Sequence, residues 1–166
     1  MPKLKQHELE EYLAEPGRYA RFATVDDDGY PRVIPISFLF HNGTIQFTLR
    51  PNSAPWSNVR RDPRISIALD EMEDPMRRVI IQGIARVVHE PGSEDQWEDL
   101  HRQMLLKTRP ADEVEEYLRA MAEAGVERPW LAVDLDAPTR VKSWRSFHAG
   151  EARDRLVPYA QQYLKS

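Results

Sequence analysis

The chain has no cysteine among its 166 residues. That removes disulfides, thiolate metal sites and a cysteine nucleophile together. Its 7 glycines are not arranged as GxxxxGK or GxGxxG, so neither a P-loop nor a dinucleotide-binding turn is available. No GxSxG elbow is present, which argues against an α/β-type serine hydrolase. His7, His41, His89, His101 and His148 show neither HxxxH nor HExxH spacing, and no metal site is expected from them. The acidic stretches around Asp26 and Asp70 lack an EF-hand pattern and read as solvated turns. No apolar run approaches the roughly 20 residues that span a bilayer. The charged start MPKLKQHELEEYL has no signal-peptide core, so a cytoplasmic protein without a membrane partner is expected. Positive charge is not in excess either. With 23 basic against 27 acidic residues the net charge is −4, which argues against a nucleic-acid partner.

What is present fits one ordinary domain of mainly β character over residues 1–166. Leu9, Tyr12 and Leu13 share one face of a short N-terminal helix that Pro16-Gly17 ends. Residues 18–25 alternate as a strand, and Gly29 allows a tight acidic turn after it. Residues 31–40 read as one long strand. Pro35 inside it has no N–H to donate, which marks an edge, a bulge or a stop in pairing. Asn42-Gly43 is a strong hairpin signal leading into a strand over 44–49. Ser53 and Pro55 open a helix that stops before Pro63. Strands follow at 64–69 and 79–89, the second interrupted at Gly83. Ser93 and Gln96 form a capping-box pattern ahead of two helices within 93–125. Residues 130–135 and 139–144 are two more strands, and a last helix is expected over 151–166. Runs of strands with helices grouped between them predict an α+β fold with a six- to seven-stranded antiparallel sheet curled toward a barrel.

Local chemistry points weakly to an anion. Ser53, Ser57 and Asn58 lie at a helix start, where backbone N–H groups are free, and Arg50 precedes them. Taken alone, Ser53 reads as a helix cap and Arg50 as a solvated charge. Trp144, beside Arg145, suits either a core position or a cover for a planar ligand.

The string ARFATVDDDGYPRVIPISFLFHNGTIQFTLRPNSAPWSNVRRDPRISIAL resembles the pyridoxamine 5′-phosphate oxidase-like family, the FMN-binding split β-barrels. The resemblance rests on the order of the turn A-T-V-D-D-D-G-x-P, the strand V-x-P, the hairpin N-G-x-I-x-F-T and the helix S-x-x-x-x-N-V-R-R-D-P. It continues through GIARVV and resumes in ERPWLAVDLDAPTRVKSW. Residues 93–125 take the place of the family's variable insertion.

The resemblance implies a homodimer with a flavin in each of two grooves between subunits. Val33, Ile34, Pro35, Ile36 and Ser37 would lie along the isoalloxazine ring. Thr48, Leu49, Arg50, Ser53, Ser57 and Asn58 would face the ribityl chain and phosphate. Gln82 would reach the flavin, and a partner's Trp144 would cover it. One position departs from the pattern: Pro55 stands where many members carry a lysine. The cofactor implied is therefore FMN or the deazaflavin coenzyme F-420. The function implied is an oxidoreductase acting on a small planar substrate, with a non-catalytic flavin-binding or sensing homodimer as the alternative.

Overall fold

Regular alternation between buried and exposed side chains gives most strands one core-facing side. Ala20, Phe22 and Thr24 point inward along the first strand, and Ile65, Ile67 and Leu69 do so along a later one. The computed structural model describes residues 3–146. Within them the order begins α1 (Gln6–Ala14), β1 (Ala20–Val25), β2 (Pro31–Ile36), β3 (Leu39–His41), β4 (Thr44–Thr48) and α2 (Ala54–Arg61). It continues with β5 (Arg64–Asp70), β6 (Met76–Ile84) and β7 (Arg86–His89). Then come α3 (Glu98–Leu106), α4 (Ala111–Glu123), β8 (Trp130–Asp134) and β9 (Arg140–Ser146).

The strands form two antiparallel sheets, β2-β1-β5-β6-β9 and β3-β4-β8-β7. The expected α+β class holds, mostly antiparallel with helices at the periphery. The described residues contain nine strands rather than six or seven, and the two sheets are not closed into a barrel. The higher count has a physical origin. The strand expected over 31–40 divides at Ser37-Phe38, because β2 belongs to one sheet and β3 to the other. The strand expected over 79–89 likewise divides into β6 and β7, at Ala85 rather than Gly83. There the Ala85 N–H donates to the Pro63 carbonyl at 2.8 Å, one rung past the last β5–β6 pair, before β7 joins the other sheet. Gly83 stays inside β6 for another reason: a Cβ there would sit 2.8 Å from Thr139 Oγ1 and 3.1 Å from Val133 Cγ1.

Local signals set the joints. Asn42 and Gly43 both take positive φ, 49° and 72°, the pairing that a two-residue hairpin turn requires. Pro35 falls on β2, which is an edge strand, as does Pro31. Ser53 caps α2, its Oγ accepting from the Trp56 N–H at 3.4 Å. The capping box expected at Ser93 does not form. A short 3-10 turn spans Glu94–Gln96, and α3 starts at Glu98. Trp97 between them leaves helical geometry, with φ −136° and ψ 10°, and its indole is buried in the protein. The helix expected over 151–166, and His148, lie outside the described residues.

The buried apolar residues form one cluster between the sheets, where Phe22 and Phe47 meet across the gap with ring centroids 5.0 Å apart. On β8 the first four residues are all buried, because α3 covers the side of that sheet facing away from the core. Trp97 stacks there on Trp130. Helix α1 buries Leu9, Tyr12 and Leu13 as its periodicity predicts. An ion-pair box then fixes its C-terminal end: Arg77 pairs with Glu15 at 2.8 Å and Glu71 at 2.6 Å, and Arg18 pairs with the same two carboxylates. Arg77 and Arg18 lie 4.7 and 4.4 Å from the Tyr12 ring centroid. Burial raises the Tyr12 hydroxyl to about 12, so it stays protonated.

Candidate functional site

Strand β2 ends where β4 also ends, and the two ends form the floor of a groove. Ile34, Pro35 and Ile36 from β2 and the following Ser37 line one side. Thr48 from β4, the following Leu49 and Arg50, and Ser53 and Pro55 at the start of α2 continue it. The cavity they share has a volume of about 460 Å³, within the range of small-molecule and cofactor sites. Its opposite wall comes from the 93–125 segment: His101, Met104 and Leu105 of α3, Arg109 after it, and Tyr117 of α4, with Arg128 ahead of β8.

Eight of the thirteen residues proposed from the sequence thus come together: Ile34, Pro35, Ile36, Ser37, Thr48, Leu49, Arg50 and Ser53. The other five are elsewhere. Val33 is exposed on the outer side of the five-stranded sheet. Ser57 is exposed on α2. Asn58 is buried, and its Nδ2 donates to Thr24 Oγ1 at 3.0 Å and Asp26 Oδ1 at 2.7 Å. Arg61 Nη2 donates to its Oδ1 at 3.2 Å, so this amide is spent on joining α2 to β1. Gln82 lines a different cavity, of about 660 Å³, with Val25 and Ile84. Trp144 is half-buried on β9 opposite Arg78, its indole N–H buried without an acceptor among the described residues. Neither Gln82 nor Trp144 borders the groove.

The 93–125 wall is the part that sequence reasoning missed. His101 is 5% exposed, and its ring nitrogens have no hydrogen-bond partner among the described residues. It lies between Trp97, Trp130 and Tyr117, with centroids 5.2, 6.2 and 6.1 Å away. Burial, reinforced by Arg128, Arg109 and Arg102, lowers its pKa to about 4. The imidazole is therefore neutral at neutral pH, able to donate one hydrogen bond and accept another. Its helical spacing with Met104 and Leu105 was the available signal, but that pattern marks a buried face without saying what it borders.

No Asp or Glu lines the groove. Among the described residues no group of three or more His, Asp or Glu is placed to hold a metal. No helix among them is long and apolar enough to cross a membrane.

Two antiparallel sheets between which the chain crosses, with helices at the periphery and a ligand-sized groove where β2 and β4 end, define an α+β fold shared with the solved structures below. The chain belongs to the pyridoxamine 5′-phosphate oxidase family, whose sequence profile matches residues 6–127. A 5a,11a-dehydrotetracycline/5a,11a-dehydrooxytetracycline reductase from Streptomyces rimosus subsp. rimosus is 35% identical over 91 residues, 50% of this chain and 63% of that protein. The match thus spans less than two-thirds of that relative. Among solved structures, the conserved hypothetical protein Rv2991 from Mycobacterium tuberculosis is 25% identical with a TM-score of 0.63, covering 86% of this chain and 85% of that one. An F-420 reductase superposes with a TM-score of 0.56 at 20% identity, over 78% of this chain and 94% of that one. The FAD-binding protein from Mycobacterium smegmatis does so at 0.57 and 18%, over 87% and 98%. These last two likenesses are of fold.

Proposed function

We propose that the chain is a flavin- or deazaflavin-dependent oxidoreductase that works as a homodimer on a small planar substrate. The observation that carries this reading is the convergence of Ile34 to Ser37, Thr48 to Arg50 and Ser53 on one cavity of about 460 Å³. The reductase from Streptomyces rimosus and the fold shared with an F-420 reductase and an FAD-binding protein support it.

The groove residues fit such a cofactor by chemistry. Ile34 and Ile36 offer apolar surface for a flat ring, and the open edge of β2 offers backbone groups for its polar rim. Arg50 and the start of α2 stand at one end with positive charge and no competing carboxylate. When bound, a flavin or deazaflavin supplies hydride transfer at its central ring. The chain's own part is to hold that ring against β2, to exclude water with Met104, Leu105 and Tyr117, and to present His101 as a neutral hydrogen-bonding group. The fold shared with an F-420 reductase supports the deazaflavin, and the family resemblance of the sequence motifs supports FMN.

The homodimer reading rests on the outer side of the five-stranded sheet. Cross-strand register aligns Val33, Ala23, Ser66, Gln82 and Arg140 in one row across that side. Val33 is 61% exposed on that side, and Val25 and Ile84 on neighbouring parts of it are 46% and 47% exposed, so it offers large apolar side chains to a partner. Because no carboxylate lines the groove, a non-catalytic binding protein on the same scaffold is the second reading.

Titration of the purified full chain with FMN and with the deazaflavin, followed by turnover with a reduced cofactor and an acceptor dye, tests both. Binding with turnover supports the enzyme, and binding without turnover selects the second reading. Failure to bind either cofactor removes both. Light scattering giving a single-chain mass would remove the homodimer.

A further inference from the structure

Several arginines in this protein pair with carboxylates. Arg32 is paired with Asp26, Arg145 with Glu8, and Arg102 with Glu98, Asp99 and Glu115. Among the described arginines that have no carboxylate at ion-pair distance, Arg50, Arg109 and Arg128 are the three that line the groove, which contains no acidic residue. Three like charges around one cavity repel one another, the more so because its walls are partly desolvated. In a chain of net charge −4 such a cluster does not follow from composition.

The fold brings the three together. Thr48 pairs with Trp130 across the β4–β8 ladder, and its Oγ1 donates to the Pro129 carbonyl at 2.8 Å. Arg50 lies two residues past Thr48 and Arg128 two residues before Trp130, so both arginines flank the same end of that ladder. Arg109 arrives from the turn between α3 and α4. Its guanidinium carbon and that of Arg128 lie 5.1 and 5.9 Å from the Tyr117 ring centroid, which orients both beside the groove. Arg128 Nε is buried with no acceptor among the described residues, a donor that the fold itself leaves unsatisfied.

We propose that Arg50, Arg109 and Arg128 form an oxyanion site in which Arg109 of the 93–125 segment and Arg128 ahead of β8 supply the positive charge absent at Pro55. Its ligand is the phosphate or carboxylate group of a planar aromatic molecule lying in the groove. The inference rests on the reading that the groove holds such a molecule. Guanidinium groups suit both anions, because their paired N–H donors match two oxygens at once. The anionic group comes either from the cofactor's phosphate or from an acidic substituent on the substrate.

Two ligand pairs separate these sources. FMN and riboflavin differ by the phosphate alone, and 2-naphthoate and 2-naphthamide differ by the charged carboxylate. All four are titrated against the full-length chain, the naphthyl pair both alone and with saturating FMN. Wild type is expected to favour the charged member of at least one pair by about tenfold or more, the gain of a charge-assisted contact. Arg109→Gln with Arg128→Gln is expected to remove most of that preference, while Arg109→Lys with Arg128→Lys, which keeps the charge, retains a large part of it. A preference seen with FMN and riboflavin assigns the site to the cofactor. One that persists for naphthoate in the presence of FMN assigns it to the substrate. Absence of any preference in wild type, or an undiminished preference in a folded double Gln variant, overturns the proposal. Arginine-dependent naphthoate binding by a chain that takes up neither FMN nor the deazaflavin would leave the oxyanion site standing and remove the cofactor reading alone.

Discussion

Trp97 stacks on Trp130 with ring centroids 4.8 Å apart and planes 22° from parallel. The two rings are the seam between the 93–125 segment and the four-stranded sheet, and both are almost wholly buried. His101 packs against both, so the seam also fixes one wall of the groove. The Trp130 indole N–H donates to Gln46 Oε1 on the neighbouring β4 at 2.9 Å, which locks the ring's orientation.

Trp97→Ala should therefore cost about 3–5 kcal/mol, the usual range for emptying a large aromatic site. Urea unfolding followed by circular dichroism measures it. Limited proteolysis should show earlier cutting within residues 93–125 than in wild type. A midpoint unchanged from wild type would mean that the segment is held by other contacts.

Acid should destabilise the fold before its carboxylates begin to protonate. His101 has a folded pKa of about 4 against an ordinary 6.5, so the unfolded chain binds the extra proton first. The stability it contributes is fully present above pH 6.5, declines as pH falls toward 4, and is gone below that. The drop amounts to about 3 kcal/mol, because each tenfold difference in proton affinity is worth roughly 1.4 kcal/mol. The charged groups facing the ring are Arg102 on its own helix, Arg109 beyond it and Arg128 ahead of β8, all of the sign that opposes its protonation. His101→Phe should flatten the stability profile between about pH 6.5 and pH 4.5. Glu15 and Glu71, whose pKa values are lowered from 4.5, act below that window. An equally steep profile in the variant would assign the slope to other groups.

Asn58 separates scaffold from site. Its amide ties α2 to Thr24 and Asp26 in a buried position, so Asn58→Ala should cost about 1–3 kcal/mol by leaving the Thr24 and Asp26 acceptors short of a donor. Chemical denaturation gives that figure. Ser57→Ala, on the exposed side of the same helix, should change stability by less than about 0.5 kcal/mol. Equal effects at the two positions would contradict the hydrogen-bonding arrangement.

Gly83→Ala should destabilise by about 1–3 kcal/mol through overpacking, since its new Cβ would meet Thr139 Oγ1 at 2.8 Å. Thr139→Ala should recover part of that loss and leave the remainder to Val133, whose Cγ1 is 3.1 Å away. A double-mutant cycle on thermal midpoints reads the coupling. Independent, additive effects would show that the strain is relieved elsewhere.

The features that the sequence displayed were those decided within a few residues. The Asn42-Gly43 turn depends on two backbone conformations, and the Ser53 cap on one hydroxyl three residues from its partner. The division of the strands at Ser37-Phe38 and at Ala85 depends on which sheet each half joins, and that is decided by partners distant in the chain. Ser93 failed as a cap because the burial of Trp97 against Trp130 set the local backbone instead. The β2 and β4 side of the groove was legible through its family motifs. Arg109 and Arg128 were not, because nothing local shows that a helix-helix turn and the approach to β8 meet beside Arg50.

Strand β2 closes one margin of the five-stranded sheet with prolines at positions 31 and 35. Every missing N–H on an outermost strand is one rung fewer for a foreign chain to zip onto. Association through that margin, whether as a continuous intermolecular sheet or as the first step toward a fibril, is thereby discouraged. In the homodimer proposed above, copies would meet face to face across the broad side that carries Val33, leaving the margin to molecules too small to extend a sheet.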